Sequence, residues 1–170
     1  MAAPSGASGK SATGPSSSDV LDAFEPLLRN FIVESLSSVE DWEGACLPGD
    51  IRKAAEQRHR HEKKMNDVLN KPDHSMFDYV NFDAYERIIT RRDNWRNHFE
   101  PVFRRKDVFS YKMEVIRSVR NDARHGRDLD NVNHLRLRLH CYDIISQIYE
   151  SQRPNFRRSS LKRKFGLASA

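Results

Sequence analysis

Apolar residues recur along most of the chain at spacings of three and four, the pattern of helices buried on one side. In "DVLDAFEPLLRNFIVESL", Phe24, Leu27, Leu28, Phe31, Ile32 and Leu36 form such a stripe. Asp19 is a natural N-cap, so the pattern predicts a helix from Asp19 to about Ser37. Pro26 lacks an N–H to donate and implies a kink or a later start. "CLPGD" then breaks the chain, and Asp50 caps a second helix, "IRKAAEQRHRHEKKMNDVL". Its apolar minority is Ile51, Ala54, Ala55, Met65, Val68 and Leu69, which places it on the outside of a bundle.

The stretch from Pro72 to Lys106 is dense in aromatics: Phe77, Tyr79, Phe82, Tyr85, Trp95, Phe99 and Phe103. Two short helices are expected, near 81–91 and 94–103, with Pro101 close to the end of the second. Such density suits a base-stacking surface, but Trp95, Phe99 and Phe103 lie at i, i+4, i+8, which favours a core. Asp107 caps a further helix ending at Gly126, a standard residue after a helix C-terminus. The last long helix begins near Asp130 or Asn131 and runs to about Ser151, before Pro154. "HLRLRLH" alternates like a strand, but Val132, Leu135, Leu139, Tyr142, Ile145 and Tyr149 give a better helical stripe. The fold class is therefore all-α: an up-and-down bundle of about four main helices plus short ones, closed by a hairpin with the turn "HGRDLDN".

Composition adds boundaries to this picture. Residues 1–18 are mostly Gly, Ser, Ala and Pro and read as a disordered tail without a secretory leader. That leaves 19–152 as the helical domain. Residues 153–170 read as a basic flexible tail: from 151 onward Arg153, Arg157, Arg158, Lys162, Arg163 and Lys164 face no acid, a charge of +6 against +5 for the whole chain. This segment either touches phosphates or is a solvated terminus. Mean hydropathy is −0.77, and no apolar run nears the roughly 18 residues of a membrane span. Cys46 and Cys141 form no CxxC, so a disulfide or structural zinc is not expected, and a reducing cytoplasm is the default.

One stretch breaks the pattern. With Ile116 at zero and about 100° per residue, Phe109, Met113, Val119 and Ala123 fall on one apolar arc. Arg120 falls inside that arc, at about +40°. Lys112 does too, but lies earlier and can snorkel outward. A guanidinium facing a core must be paired, or must face an interface or a lined cleft. His125 falls near 180°, with Asn121 one turn before it on the same stripe. The helix dipole favours its protonated ring while Arg120, Arg124 and Arg127 oppose it, which suits proton transfer near neutrality.

"RNDARH", ending the first helix of a hairpin, resembles the R-x4-6-H motif of the HEPN superfamily (higher eukaryotes and prokaryotes nucleotide-binding). "NWRNHFEPVFRRKDVFSYKMEVIRSVRNDARHGR" is similar to the branch found alone in bacteria and fused to PIN-type nucleases. The likeness covers residues 75–150 well and the first helix more loosely. It implies a bundle that forms a homodimer through the motif helices, with many members being metal-independent endoribonucleases. On that likeness His125 acts as acid or base at the ribose 2′-OH and the leaving oxygen, Arg120 holds the scissile phosphate, and Asn121 orients the phosphate or the His. Products carry 2′,3′-cyclic phosphates, no cofactor or metal is used, and the setting is toxin–antitoxin-like or anti-phage, with an antitoxin or regulatory protein as partner. Arg124 stands where several members have a small or apolar residue, as an added phosphate contact or a salt bridge to Asp122 or Asp128. Arg127, Arg157, Arg158, Lys162, Arg163 and Lys164 are the further RNA-contact candidates. The other reading is a non-catalytic module binding RNA, nucleotide or a protein.

No other constellation competes. His59 and His61 are about 200° apart on a helix and cannot chelate together. His74, His98, His134 and His140 match no ligand spacing, and there is no Gly-rich phosphate loop or GxSxG. The motif thus yields a geometric expectation: Arg120 and His125 line one cleft, at a two-fold interface or a distorted last turn. A private salt bridge of Arg120 inside one bundle would instead make the motif structural.

Overall fold

The computed structural model describes residues 14–72, 74–125, 130–153 and 155–167, and of Arg124 the backbone alone. Its elements are α1 (Ser17–Leu36), α2 (Trp42–Cys46), α3 (Gly49–Leu69), α4 (Tyr85–Thr90), α5 (Arg92–Asn94), α6 (Glu100–Phe103), α7 (Lys106–Arg124), α8 (Asn131–Gln152) and α9 (Arg158–Lys164). Short 3-10 turns stand at Met76–Tyr79 and Phe82–Ala84, and a π turn at Trp95–Phe99 joins α5 to α6. Among the described residues there is no strand, and no helix is long and apolar enough to cross a membrane. The expected disordered tail, 1–18, lies outside the described residues up to residue 13.

Local chemistry sets the ends. α1 starts two residues earlier than expected because Ser16, not Asp19, is its cap. The Ser16 hydroxyl accepts from the Asp19 N–H, and the Asp19 carboxylate accepts from the Ser16 N–H, a reciprocal capping box. The helix runs through Pro26. Asp50 lies in the first turn of α3 rather than at its cap, where its carboxylate receives both Arg87 nitrogens at 2.8 and 3.1 Å. Asp107 likewise lies inside α7, held by Arg105 at 2.6 Å. Asp130 does cap α8, accepting the Asn133 N–H at 2.7 Å. Gly126, expected as the residue after α7, is outside the described residues.

α8 packs between α1 and α7, and α1 also touches α7. The aromatic middle fills the space they leave. Phe77, Phe82, Tyr85, Trp95, Phe99 and Phe103 are all buried, so this density is core and not a stacking surface. Phe103 lies 4.5 Å from Phe109 of α7 and 5.8 Å from Phe31 of α1, centroid to centroid. The break between α4 and α5 is held by Asn94, whose buried amide donates to the carbonyls of Ile88 (2.7 Å) and Cys46 (2.9 Å).

Two expectations are overturned. The wall of α8 facing α1 and α7 is Leu137, Cys141, Ile144, Ile145 and Ile148. The front half of the expected stripe, Val132, Leu135 and Leu139, is 57, 47 and 45 % exposed. The C-terminal segment 153–170 is also not a free tail throughout. Leu161 and Phe165, four residues apart, are buried on one face of α9. Arg158 pairs with Glu150, and the Arg138 guanidinium of α8 donates to the Phe165 carbonyl at 2.8 Å. Gly166 follows at φ +63, a conformation only glycine adopts without strain, with its Cα against the Pro15 ring. Gly14 lies against the same Arg138.

Phe99 is fully buried between the rings of Phe31 of α1 and Phe103 of α6. Phe99→Ala should lower unfolding stability by about 3–5 kcal/mol in urea melts.

A candidate site at the end of the α7–α8 hairpin

Arg120 is buried, with 5 % of its surface exposed. Its Nε donates to Glu25 of α1, Nη1 lies 3.9 Å from Asp83, and the guanidinium sits over the Phe82 ring, 4.8 Å from the centroid. The wheel therefore placed it correctly on the apolar arc. The partner that satisfies it comes from the same bundle: it is the private salt bridge that sequence reasoning named as the structural outcome. A shallow depression of about 180 Å³ opens beside the pair, lined by Ser18, Leu21, Asp22, Glu25, Arg120 and Ala123. His125 is not among the lining residues.

His125 is the C-cap of α7 and is exposed. Its backbone N–H donates to the carbonyls of Asn121 and Asp122 at 3.1 and 3.2 Å. Asn121 is exposed on the same stripe, though among the described residues no hydrogen bond joins its amide to the His125 ring. Arg120 therefore points inward to α1 while Asn121 and His125 are exposed. The side chain of Arg124, and Arg127 entirely, lie outside the described residues. The remaining candidates are on or just before α9. Arg157, Arg163 and Lys164 are exposed, Lys162 is half-buried, and Arg158 is taken up by Glu150. The end of α9 carrying Lys164 is tied to Arg138, seven residues and about 10 Å along α8 from its start.

Sequence reasoning missed three features. Glu25, Asp83 and Phe82 complete the Arg120 environment, and nothing in their local pattern marks them. Lys112 does not snorkel freely; it is buried and its ammonium meets Asp143 at 2.6 Å. The third is the bare outer face of the hairpin. Val132, Leu135 and Leu139 stand on the side of α8 opposite Cys141, and Tyr111 of α7 is 57 % exposed. That signal was readable, since the apolar residues of α8 fall on two opposed arcs rather than one. Tyr111 leans edge-on to His140, with ring centroids 5.8 Å apart. Partial burial, with Lys112 and Arg136 nearby, lowers the His140 pKa below its ordinary 6.5, while Asp143 opposes the shift.

Compared with protein-family models, curated proteins and solved structures, the chain has no match in any of the three.

Two measurements check this description. Glu25→Gln should cost about 1–3 kcal/mol by leaving the guanidinium under-satisfied, while Arg120→Met with Glu25→Leu should come closer to wild type than either single change. Because folding lowers the His140 pKa, its contribution to stability is complete above about pH 6.5 and shrinks as pH falls through the folded value. His140→Gln should flatten that acid-side decline in pH-dependent urea melts.

Proposed function

We propose that this chain is a HEPN-type helical domain that works as a homodimer paired across the outer face of α7 and α8, and that it engages RNA at that seam. The observation that carries the reading is the exposed row Val132, Leu135 and Leu139 on the outer side of α8. Large apolar side chains gathered on one outer face are the mark of an interaction surface. The surrounding charges are of both signs, with Arg136, Glu114 and Asp143 among them, so the face can complement a second copy of itself. By helical spacing His125 and Asn121 lie on the same outer side of α7, so pairing there brings two copies of the motif end together. The exposed cations around α9 supply sequence-independent attraction for the phosphate backbone.

A second reading, cleavage of that RNA, is favoured by one observation: His125 is solvent-exposed at the helix end, available to reacting atoms. In that reaction His125 takes the 2′-OH proton, the 2′-oxygen attacks the adjacent phosphorus, and the bond to the 5′-oxygen breaks as that oxygen is protonated, leaving a 2′,3′-cyclic phosphate and a 5′-OH. Arg120 would have to exchange Glu25 for the phosphate to stabilise the added charge. The Arg120–Glu25 pair opposes this, so binding ranks ahead of cleavage.

The pairing is checked by mass in solution at micromolar concentration. Wild type should be dimeric and the Leu135→Glu, Leu139→Glu double variant monomeric; a monomeric wild type would remove the seam. Incubation with total RNA in chelator separates the two activities. RNA retained intact supports the binding module. Cleavage with cyclic ends that falls about 10²–10⁴-fold in His125→Ala makes it an enzyme. His125→Ala is the informative variant, because Arg120→Ala also loses a buried structural pair. Absence of RNA binding would sink both readings.

A further inference from the structure

Where α8 ends, the backbone bends on two hydrogen bonds. The Arg153 N–H donates to the Tyr149 carbonyl at 2.8 Å, and the Phe156 N–H to the Arg153 carbonyl at 3.0 Å. The bend sets Gln152, Arg153, Asn155, Phe156 and Arg157 around one open depression of about 580 Å³. Phe156 is half-buried, its ring edge-on to Tyr149 with centroids 5.1 Å apart. Arg153 is exposed, and its guanidinium lies over the Tyr149 ring, 4.6 Å from the centroid. That contact restrains a long side chain without consuming its donors. Arg157 is exposed as well. Among the described residues no carboxylate pairs with Arg153 or Arg157, whereas Glu150 takes up Arg158. No acid is among the lining residues. Glu34 of α1 approaches only from behind Gln152, whose amide donates to it at 3.1 Å.

We infer that this depression holds one nucleotide of single-stranded RNA, with its base against the Phe156 ring and its flanking phosphates on Arg153 and Arg157. The ligand class follows from three chemistries that line one place. The half-buried ring offers an apolar surface that any base can cover. Two guanidinia without carboxylate partners offer donor forks to phosphate oxygens. The Asn155 amide and the Gln152 side-chain oxygen offer polar partners to a base edge or a 2′-OH. The volume lies in the range of small-ligand sites. A duplex keeps its base faces stacked inside and leaves Phe156 uncovered. An acidic peptide answers the arginines but not the ring. From this corner α9 runs back along α8, from Glu150 to Arg138, with Arg163 and Lys164 exposed at its far end. The strand therefore has cations to follow beyond the held base. The inference rests on the RNA reading above and adds to it an anchor remote from His125.

The test uses the full chain and two labelled strands, oligoadenylate and the same ribose-phosphate backbone without bases. In fluorescence anisotropy the wild type should prefer oligoadenylate by at least about fivefold, the low end of what one stacked base supplies. Phe156→Leu should lose most of that preference while keeping the salt dependence of binding. Arg153→Gln with Arg157→Gln should instead flatten the slope of log affinity against log salt by about 1.4, the share of two phosphates on a single strand. Arg163→Gln with Lys164→Gln should weaken both strands alike and leave the preference standing. Leucine keeps much of the bulk of Phe156, and circular dichroism checks the fold. Arg153 and Arg157 are exposed, so their variant carries the test if the leucine variant does not fold. No preference in the wild type, a preference untouched by Phe156→Leu, or a slope untouched by the arginine pair overturns the subsite and leaves the RNA reading in place. Absence of binding to either strand ends both. A polyglutamate peptide that displaces oligoadenylate as well as unlabelled oligoadenylate does would give the depression to acidic proteins and overturn the inference.

Discussion

A guanidinium stripped of water is tolerable only where its charge and its donors are answered, because desolvating an ion is unfavourable by several kcal/mol. Arg120 is answered from two sides: Glu25 of α1 accepts its Nε, and the turn at 82–84 offers the Phe82 face and the Asp83 carboxylate. This arrangement fixes the rotation of α7. Turning that helix by one residue, about 100°, would expose the arginine, leave Glu25 unpaired and lift Ile116 and Met113 from the core. The rotation that satisfies Arg120 is also the one that puts Tyr111, Asn121 and His125 outside. The inward arginine and the outward histidine are two results of one constraint.

The same logic explains the unusual character of α8. A helix packed between two others has one wall to bury, and Leu137, Cys141, Ile144 and Ile148 fill it completely. Val132, Leu135 and Leu139 then have no room inside and stay exposed. Lys112 is paired with Asp143 beside His140, and partial burial together with the Lys112 charge disfavours the protonated ring while Asp143 acts against them.

Much of this was legible in the residues alone. Helical periodicity gave the long helices to within a few positions, and the i, i+4, i+8 aromatics declared themselves as core. The wheel showed that Arg120 points inward. It could not show what meets it there, because Glu25 is 95 positions away and an acid on a helix flank carries no mark of its eventual partner. Segment 153–170 misled for a related reason. Its charge density masks Leu161 and Phe165, two apolar residues at one-turn spacing, and their burial depends on a surface of α8 that exists only after folding. Caps went astray where a better side chain stood nearby: Ser16 outcompeted Asp19 at α1, and Asp50 was drawn to Arg87.

The Arg138 guanidinium ties the carbonyl of Phe165 in place, while Gly14, Pro15 and Gly166 crowd the same spot. The polypeptide consequently enters the bundle and leaves it through a single gate. A domain with its entry and exit adjacent can be set into a loop of a larger protein without stretching its host. A short peptide across that gate could also close the chain into a ring, with new ends opened elsewhere, and ask of the bundle only that α1 and α9 keep their neighbours.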